Sequence, residues 1–252
     1  MSISFREVEG SRSSGLLPLD APERVICMRY PDGHIYRHVF RRITAADWKL
    51  FFGRMKAEVT GGGRLKVVGA HVSSLRLYSD TIRRAEGYEM RNGRRPEEQQ
   101  SWPNCIPRDH RLKVTNLLAN AVSPAKENAV RTDAGRVSVH VDAVWSEGDP
   151  GAMMGYFGLI HRFRPPTAEH RQRLIDVGKT AATASANPRE ATLPSSYAMY
   201  AALYDELVEE VDGYSIGGVA LASREQIVRE MEGCHKMASV REIFPIVSDR
   251  SK

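Results

Sequence analysis

Leu77-Tyr78-Ser79-Asp80-Thr81-Ile82, closed by Glu86-Gly87-Tyr88, returns 126 residues later as Leu203-Tyr204-Asp205-Glu206-Leu207-Val208 and Asp212-Gly213-Tyr214. Ahead of it, Phe40-Arg41-Arg42-Ile43-Thr44-Ala45 returns 123 residues later as Phe163-Arg164-Pro165-Pro166-Thr167-Ala168. The two matches come in the same order, at offsets that differ by three residues. A change of loop length around Gly61-Gly62-Gly63 absorbs that difference, so the pattern points to a tandem duplication. The recurring positions are Tyr78, Gly87 and Tyr88 in one copy and Tyr204, Gly213 and Tyr214 in the other. Tyrosines repeated in this way read as packing at helix ends.

Each copy reads as a β-hairpin followed by three helices, an α+β module. Arg24–Tyr30 and Ile35–Ile43 flank Pro31-Asp32-Gly33-His34, in which Pro and Asp start a turn and Gly supplies a positive φ. Thr44-Ala45-Ala46-Asp47 forms a capping box and opens a helix with Trp48, Phe51, Phe52 and Met55 along one face. A second helix over about 72–87 stops at Gly87, and a third follows Pro107. In the second copy Val137, Val139, Val141, Ala143 and Trp145 alternate as a half-buried strand, and a turn at Asp149-Pro150-Gly151 leads to the next. Thr167 caps a helix with Leu174 and Ile175 at the sites of Phe51 and Phe52. A helix over about 197–212 ends at Gly213, and Ser223 caps a last one carrying Ile227, Met231, Cys234 and Ala238. The first module spans 1–122 and holds an extra polar segment, 91–100; 123–135 reads as a linker; the second module spans 136–252.

The charge is unevenly divided. Residues 1–130 hold 22 Lys and Arg against 14 Asp and Glu; residues 131–252 hold 14 against 17. Arg83 and Arg84 stand where the second copy has Glu209 and Glu210, so opposite surfaces could pair within a chain or between chains. With Arg91, Arg94, Arg95 and Trp102 the same arginines could contact nucleic acid, phosphates taking the cations and a base stacking on the indole. Glu86, Glu89, Glu97 and Glu98 interrupt that run and weaken its field. No apolar run is long enough for a bilayer and the first residues lack a signal-peptide core, so an intracellular, cytoplasmic protein without a membrane role is expected. Three dispersed cysteines, Cys27, Cys105 and Cys234, form no disulfide framework or zinc knuckle.

Motifs for chemistry are missing. There is no phosphate loop, and Gly61-Gly62-Gly63 lacks the strand–turn–helix setting of a dinucleotide fingerprint. His34 and His38 fall on a strand, where four residues span about 13 Å, too far for one zinc ion. Cys234 and His235 are neighbours on a helix, about 100° apart, so the sequence gives them no reason to meet. Asp205, Glu206, Glu209, Glu210 and Asp212 read as an acidic helix face, open to solvent or a partner. No catalytic residue, metal or cofactor is expected.

A hairpin followed by Phe40-Arg41-Arg42-Ile43-Thr44-Ala45-Ala46-Asp47-Trp48, opening an amphipathic helix, resembles the start of small phage and prophage tail proteins of the tail-assembly-chaperone type. The match rests on residues 25–52 and, more loosely, 156–175. It implies a non-enzymatic virion-assembly or structural protein, in the host cytoplasm or the virion, that works through protein contacts, a second copy of the chain being one candidate partner; it carries over no catalytic residues. The alternatives are a sequence-independent nucleic-acid-associated protein using the basic half, and an enzyme whose site is too dispersed to read.

Overall fold

The computed structural model describes residues 15–29, 33–59, 65–89, 96–98, 100, 102–125, 129–133, 135–146, 153–184 and 196–244. The protein is α+β, with helices packed on small sheets whose strands pair antiparallel except β1 with β12. After β1 (Leu17–Pro18), the expected hairpin forms from β2 (Glu23–Arg29) and β3 (Ile35–Arg41). The next element, α1 (Ala45–Gly53), starts at Thr44, whose hydroxyl accepts from the Asp47 N–H while the Asp47 carboxylate accepts from the Thr44 N–H. A ribbon of β4 (Lys56–Val59) and β5 (Leu65–Val68) brackets the triple glycine, which itself lies outside the described residues. Then come α2 (Ala70–Thr81), β6 (Ile82–Glu86) and α3 (Arg108–Ala119). The chain continues through β7 (Val122–Pro124), β8 (Val130–Asp133), β9 (Arg136–Ser146) and β10 (Met153–Phe163). It finishes with α4 (Ala168–Ala184), α5 (Ser196–Leu207), β11 (Val208–Asp212), β12 (Tyr214–Ile216), β13 (Val219–Ala220), α6 (Arg224–Glu230) and α7 (Gly233–Ile243).

Several boundaries differ from the sequence reading. The helices read over 72–87 and 197–212 stop early, at Thr81 and Leu207, and Ile82–Glu86 and Val208–Asp212 become strands. Both strands begin with a β-branched residue and add to the edge of a hairpin, where sheet pairing overrides helical propensity. Gly87 and Gly213 therefore end strands rather than helices, at φ 91° and 89°. Of the acidic group, Asp205 and Glu206 are helical whereas Glu209, Glu210 and Asp212 lie on the strand β11. The residues read as a linker pair with β9 through β7 and β8 and widen the second sheet. The last helix is two, broken where Met231 and Glu232 turn extended. The turn residues Pro31 and Asp32, Asp149-Pro150-Gly151, and Arg91, Arg94 and Arg95 lie outside the described residues.

The halves agree in more than element order. The strands are ordered β2-β3-β6 in one sheet and β9-β10-β11 in the other. Arg37, His38 and Val39 oppose Glu86, Ala85 and Arg84, and then the register slips so that Phe40 opposes Ile82. Ile160, His161 and Arg162 oppose Asp212, Val211 and Glu210, and then Phe163 opposes Val208. The residue skipped by each bulge is Arg83 in one half and Glu209 in the other.

One apolar cluster runs through both halves. Trp48 and Phe51 are buried on α1, with Phe52 and Met55 partly buried beside them; α1 packs on α2 of its own half and on α5 and α7 of the other. Two ion pairs cross the same boundary. Arg24 donates to both oxygens of Glu232, at 2.7 and 2.9 Å and buried, and Arg42 reaches Glu230 at 2.7 Å. Among the described residues, no helix is long and apolar enough to cross a membrane.

Candidate functional site

Each half holds a chain of four hydrogen-bonded rings. In the first, His38 on β3 meets the Tyr78 hydroxyl at Nδ1 (2.9 Å) and the Tyr88 hydroxyl at Nε2 (3.1 Å), and Tyr88 continues to Nδ1 of His110 on α3 (2.7 Å). In the second, His161 on β10 meets Tyr204 at Nδ1 (2.8 Å) and Tyr214 at Nε2 (2.7 Å), and Tyr214 continues to Nδ1 of His235 on α7 (2.9 Å). The same atoms are joined in the same order. The fold places them directly: a central strand supplies one histidine, the helix before the third strand one tyrosine, the turn after the glycine the other, and the last helix the second histidine. Gly87 and Gly213 make that turn possible, since a Cβ on Gly87 would stand 2.5 Å from the Ile35 carbonyl oxygen, and one on Gly213 2.6 Å from Leu159 Cδ2.

One polarity satisfies each chain: the first tyrosine donates to Nδ1 of the strand histidine, whose Nε2–H donates to the second tyrosine, whose hydroxyl donates to the helix histidine. The reverse polarity, with every proton shifted, uses the same contacts, because neutral imidazole has one donor and one acceptor. Burial holds the rings uncharged. It lowers His38 to about 3, helped by His110, and His235 to about 3, helped by the Arg24 guanidinium. His161 goes well below its ordinary value by burial, with His235 adding to the effect, and burial also lowers His110. The hydroxyls of Tyr78, Tyr204 and Tyr214 are pushed up by the same desolvation. Neutral rings that satisfy one another's hydrogen bonds in a packed core are suited to fixing register.

Glu232, Cys234 and His235 are buried with ligand atoms within 4.8 Å of one another, so the neighbours Cys234 and His235 do come close. Their bonds point elsewhere: the Cys234 thiol to Glu232 at 3.7 Å, His235 Nδ1 to Tyr214. Burial pushes the Cys234 thiol up, and the Glu232 carboxylate reinforces that. The donor types suit a transition metal, but both Glu232 oxygens already accept from Arg24, and the group sits at the N-terminus of α7. Guanidinium and helix dipole both favour an anion there and oppose a divalent cation.

The charged residues singled out by the sequence are drawn into their own sheets. Arg83 faces Glu23 at 4.0 Å, and Glu209 faces Arg136 at 3.3 Å. Glu23 precedes the residue opposite Phe40, and Arg136 precedes the residue opposite Phe163, so an ion pair at one equivalent place has its signs exchanged. Arg84 bonds Glu86 at 2.8 Å, and Glu210 pairs with Arg136 (3.1 Å) and Arg162 (3.7 Å). All four sit on the outer strands β6 and β11, where charge also discourages unwanted strand pairing. Trp102, offered as a base-stacking ring, packs against the core.

The tyrosines were legible as repeated positions; the histidines were missed. His38 and His161 stand two residues before Phe40 and Phe163, and His110 and His235 follow Tyr88 and Tyr214 by 22 and 21 residues. His38 and His161 lie two residues outside the match, whereas His110 and His235 lie more than twenty beyond it, at an offset one residue shorter. Compared with protein families, with curated proteins and with solved structures, the chain matches none.

Proposed function

We propose that the chain is a non-enzymatic assembly or adaptor protein that works through protein contacts, built by duplicating one module, and of a phage- or prophage-associated class. The carrying observation is the doubled ring chain. Its histidines are buried and held uncharged, and the same contacts recur in both halves, which supports a structural role for them rather than an active site. The shared register and bulge support duplication. The hairpin and capped helix that resemble tail-assembly proteins support the class, and with it the host cytoplasm or the virion as the place of action. The nucleic-acid alternative draws little from the described residues, since Arg83 and Arg84 face glutamates and Trp102 packs against the core.

Co-expression with the products of adjacent genes, followed by light scattering on a sizing column, tests the reading. A stoichiometric complex with a tail or capsid component is expected. A chain that stays alone with all of them, and instead binds random duplex with affinity falling steeply as salt rises, overturns it in favour of the nucleic-acid reading.

A further inference from the structure

The segment expected to be a linker supplies an open sheet edge. Val130-Arg131-Thr132-Asp133 form β8, all four residues are exposed, and β9 is their one neighbouring strand among the described residues. Other edges are blunted. The Glu97 carboxylate accepts from the Ala85 N–H on β6 (2.7 Å), Arg224 donates to the Val208 carbonyl at the start of β11 (3.0 Å), and β7 carries Pro124, which has no N–H. The His140 N–H donates to the Ala129 carbonyl (2.7 Å), and antiparallel bonds alternate. Arg131 and Asp133 therefore turn their backbone groups to β9, while Val130 and Thr132 turn theirs to the open edge. The side chains alternate as well. Val130 and Thr132 oppose the buried Val139 and Val137 and carry the core face out to that edge, where Val130 is 40% exposed. Arg131 and Asp133 lie on the outer face and form no ion pair among the described residues.

Opposite charges two residues apart make the strand complementary to itself. In an antiparallel pair of two copies with the two-fold axis at Thr132, Arg131 of each faces Asp133 of the other, and the two Thr132 residues exchange backbone hydrogen bonds. An axis at Arg131, which the alternation also allows, would set arginine against arginine. We propose that β8 is a self-association edge, at which a second copy of the chain pairs antiparallel about Thr132 and joins the two five-stranded sheets into one. The paired strands are short, so the dimer is weak and depends on concentration. The inference rests on the reading of the chain as a protein-contact module and names a second copy as one of its partners.

Sedimentation equilibrium on the full chain over a concentration series tests it. Wild type is expected to pass reversibly from monomer to dimer. Arg131→Asp and Asp133→Arg each set like charges opposite one another twice and should weaken the dimer about tenfold or more. Mixed together, these two variants should form a heterodimer, acid against base at both places. The double swap in one chain should pair with itself again, which an axis at Arg131 would forbid. Thr132→Pro removes an N–H that β9 does not use and should abolish the dimer with the fold intact by circular dichroism. A wild type that stays monomeric, reversals without effect, a double swap that stays apart, or a dimer that survives Thr132→Pro overturns the proposal. The complex with neighbouring gene products, measured on the same samples, reports separately: a monomeric chain that still forms it sinks the edge pairing and leaves the wider protein-contact reading standing.

Discussion

Lowering the pH from 7 to 4.5 should unfold the protein progressively, through histidines that no solvent-exposed charge explains. His38 and His235 titrate near 6.5 in the unfolded chain and at about 3 in the folded one. A depressed folded value means that the native state binds fewer protons, so stability is whole above 6.5 and falls with pH through the interval down to 3. Each such group removes about 1.4 kcal/mol per pH unit within that interval. By pH 4.5 the two together remove about 5 kcal/mol, comparable with the whole stability of a small domain. His161 has its folded value shifted the same way and steepens the fall. The window lies above the one in which the perturbed carboxylates act: bonds from Arg173 and Arg229 lower Glu206 and Glu230 from 4.5, so their contributions are lost only below that value. Burial works to raise Asp47, but bonds from Arg41 and Thr44 outweigh it and hold the carboxyl at about 2, so its contribution is present above 3.8 and is lost only as pH falls toward 2. Urea titrations at half-unit steps between pH 7 and 4.5 measure the slope. His38→Gln, which keeps amide partners for Tyr78 and Tyr88, should cost stability at pH 7 yet flatten the acid slope by about one proton. A stability that stays level from 6.5 to 4.5, or a slope unchanged by His38→Gln, would refute the assignment of neutral, hydrogen-bonded histidines.

Three pairs of substitutions probe the packing, each read by denaturant midpoint. Phe51→Ala, 2% exposed between the halves, should cost about 3–5 kcal/mol, while Leu50→Ala beside it, 54% exposed, should cost less than about 0.5; similar losses would mean that α1 is not clamped as described. Gly87→Ala and Gly213→Ala both force a Cβ into a left-handed backbone, but Gly87 meets a fixed carbonyl and Gly213 a leucine methyl that can rotate away. Both should lose stability, the first by about 1–3 kcal/mol and more than the second, and the reverse order would contradict the geometry. Arg24→Met alone should cost about 3–5 kcal/mol by stranding the Glu232 carboxylate, and adding Glu232→Met should recover most of the loss; a double variant as weak as the single would show that the pair is more than mutually compensating.

The fold was legible where periodicity and caps speak locally. The Thr44 capping box, the hairpin on either side of Gly33 and the buried face of Trp48 and Phe51 all follow from neighbours within a few residues. Reading failed where a distant strand decides. Ile82-Arg83-Arg84-Ala85-Glu86 carries helix-compatible residues, and only its place beside β3 makes it a strand. Met231-Glu232 breaks a helix that its spacing allows, at the residue whose carboxylate crosses to Arg24, more than two hundred positions away. The ring chains sat in between. Their tyrosines declared themselves by repetition, but the partners that give those tyrosines a role lie on other elements, and repetition alone suggested apolar packing.

The two halves, alike in register, are unlike in what they present outward. The first half gives α1 to the second, with Trp48, Phe51 and Phe52 as its apolar stripe. The second half has α4 in the equivalent place, with Arg171, Leu174 and Ile175 at those positions. Arginine replaces the fully buried tryptophan, and Ile175 is half exposed. A contact of the α1 kind is heterologous: one surface grips a different one, so it could continue from chain to chain without closing. Replacing its central aromatic by a charge stops that continuation, as a terminal repeat does in a stacked array. The exchange of sign between Arg83–Glu23 and Glu209–Arg136 works to the same end, since each pair draws its charges together inside its own sheet rather than offering an acidic face to a basic one. At the Gly213 corner residues 17–19 run parallel to β12, a pairing that the described residues do not repeat at Gly87.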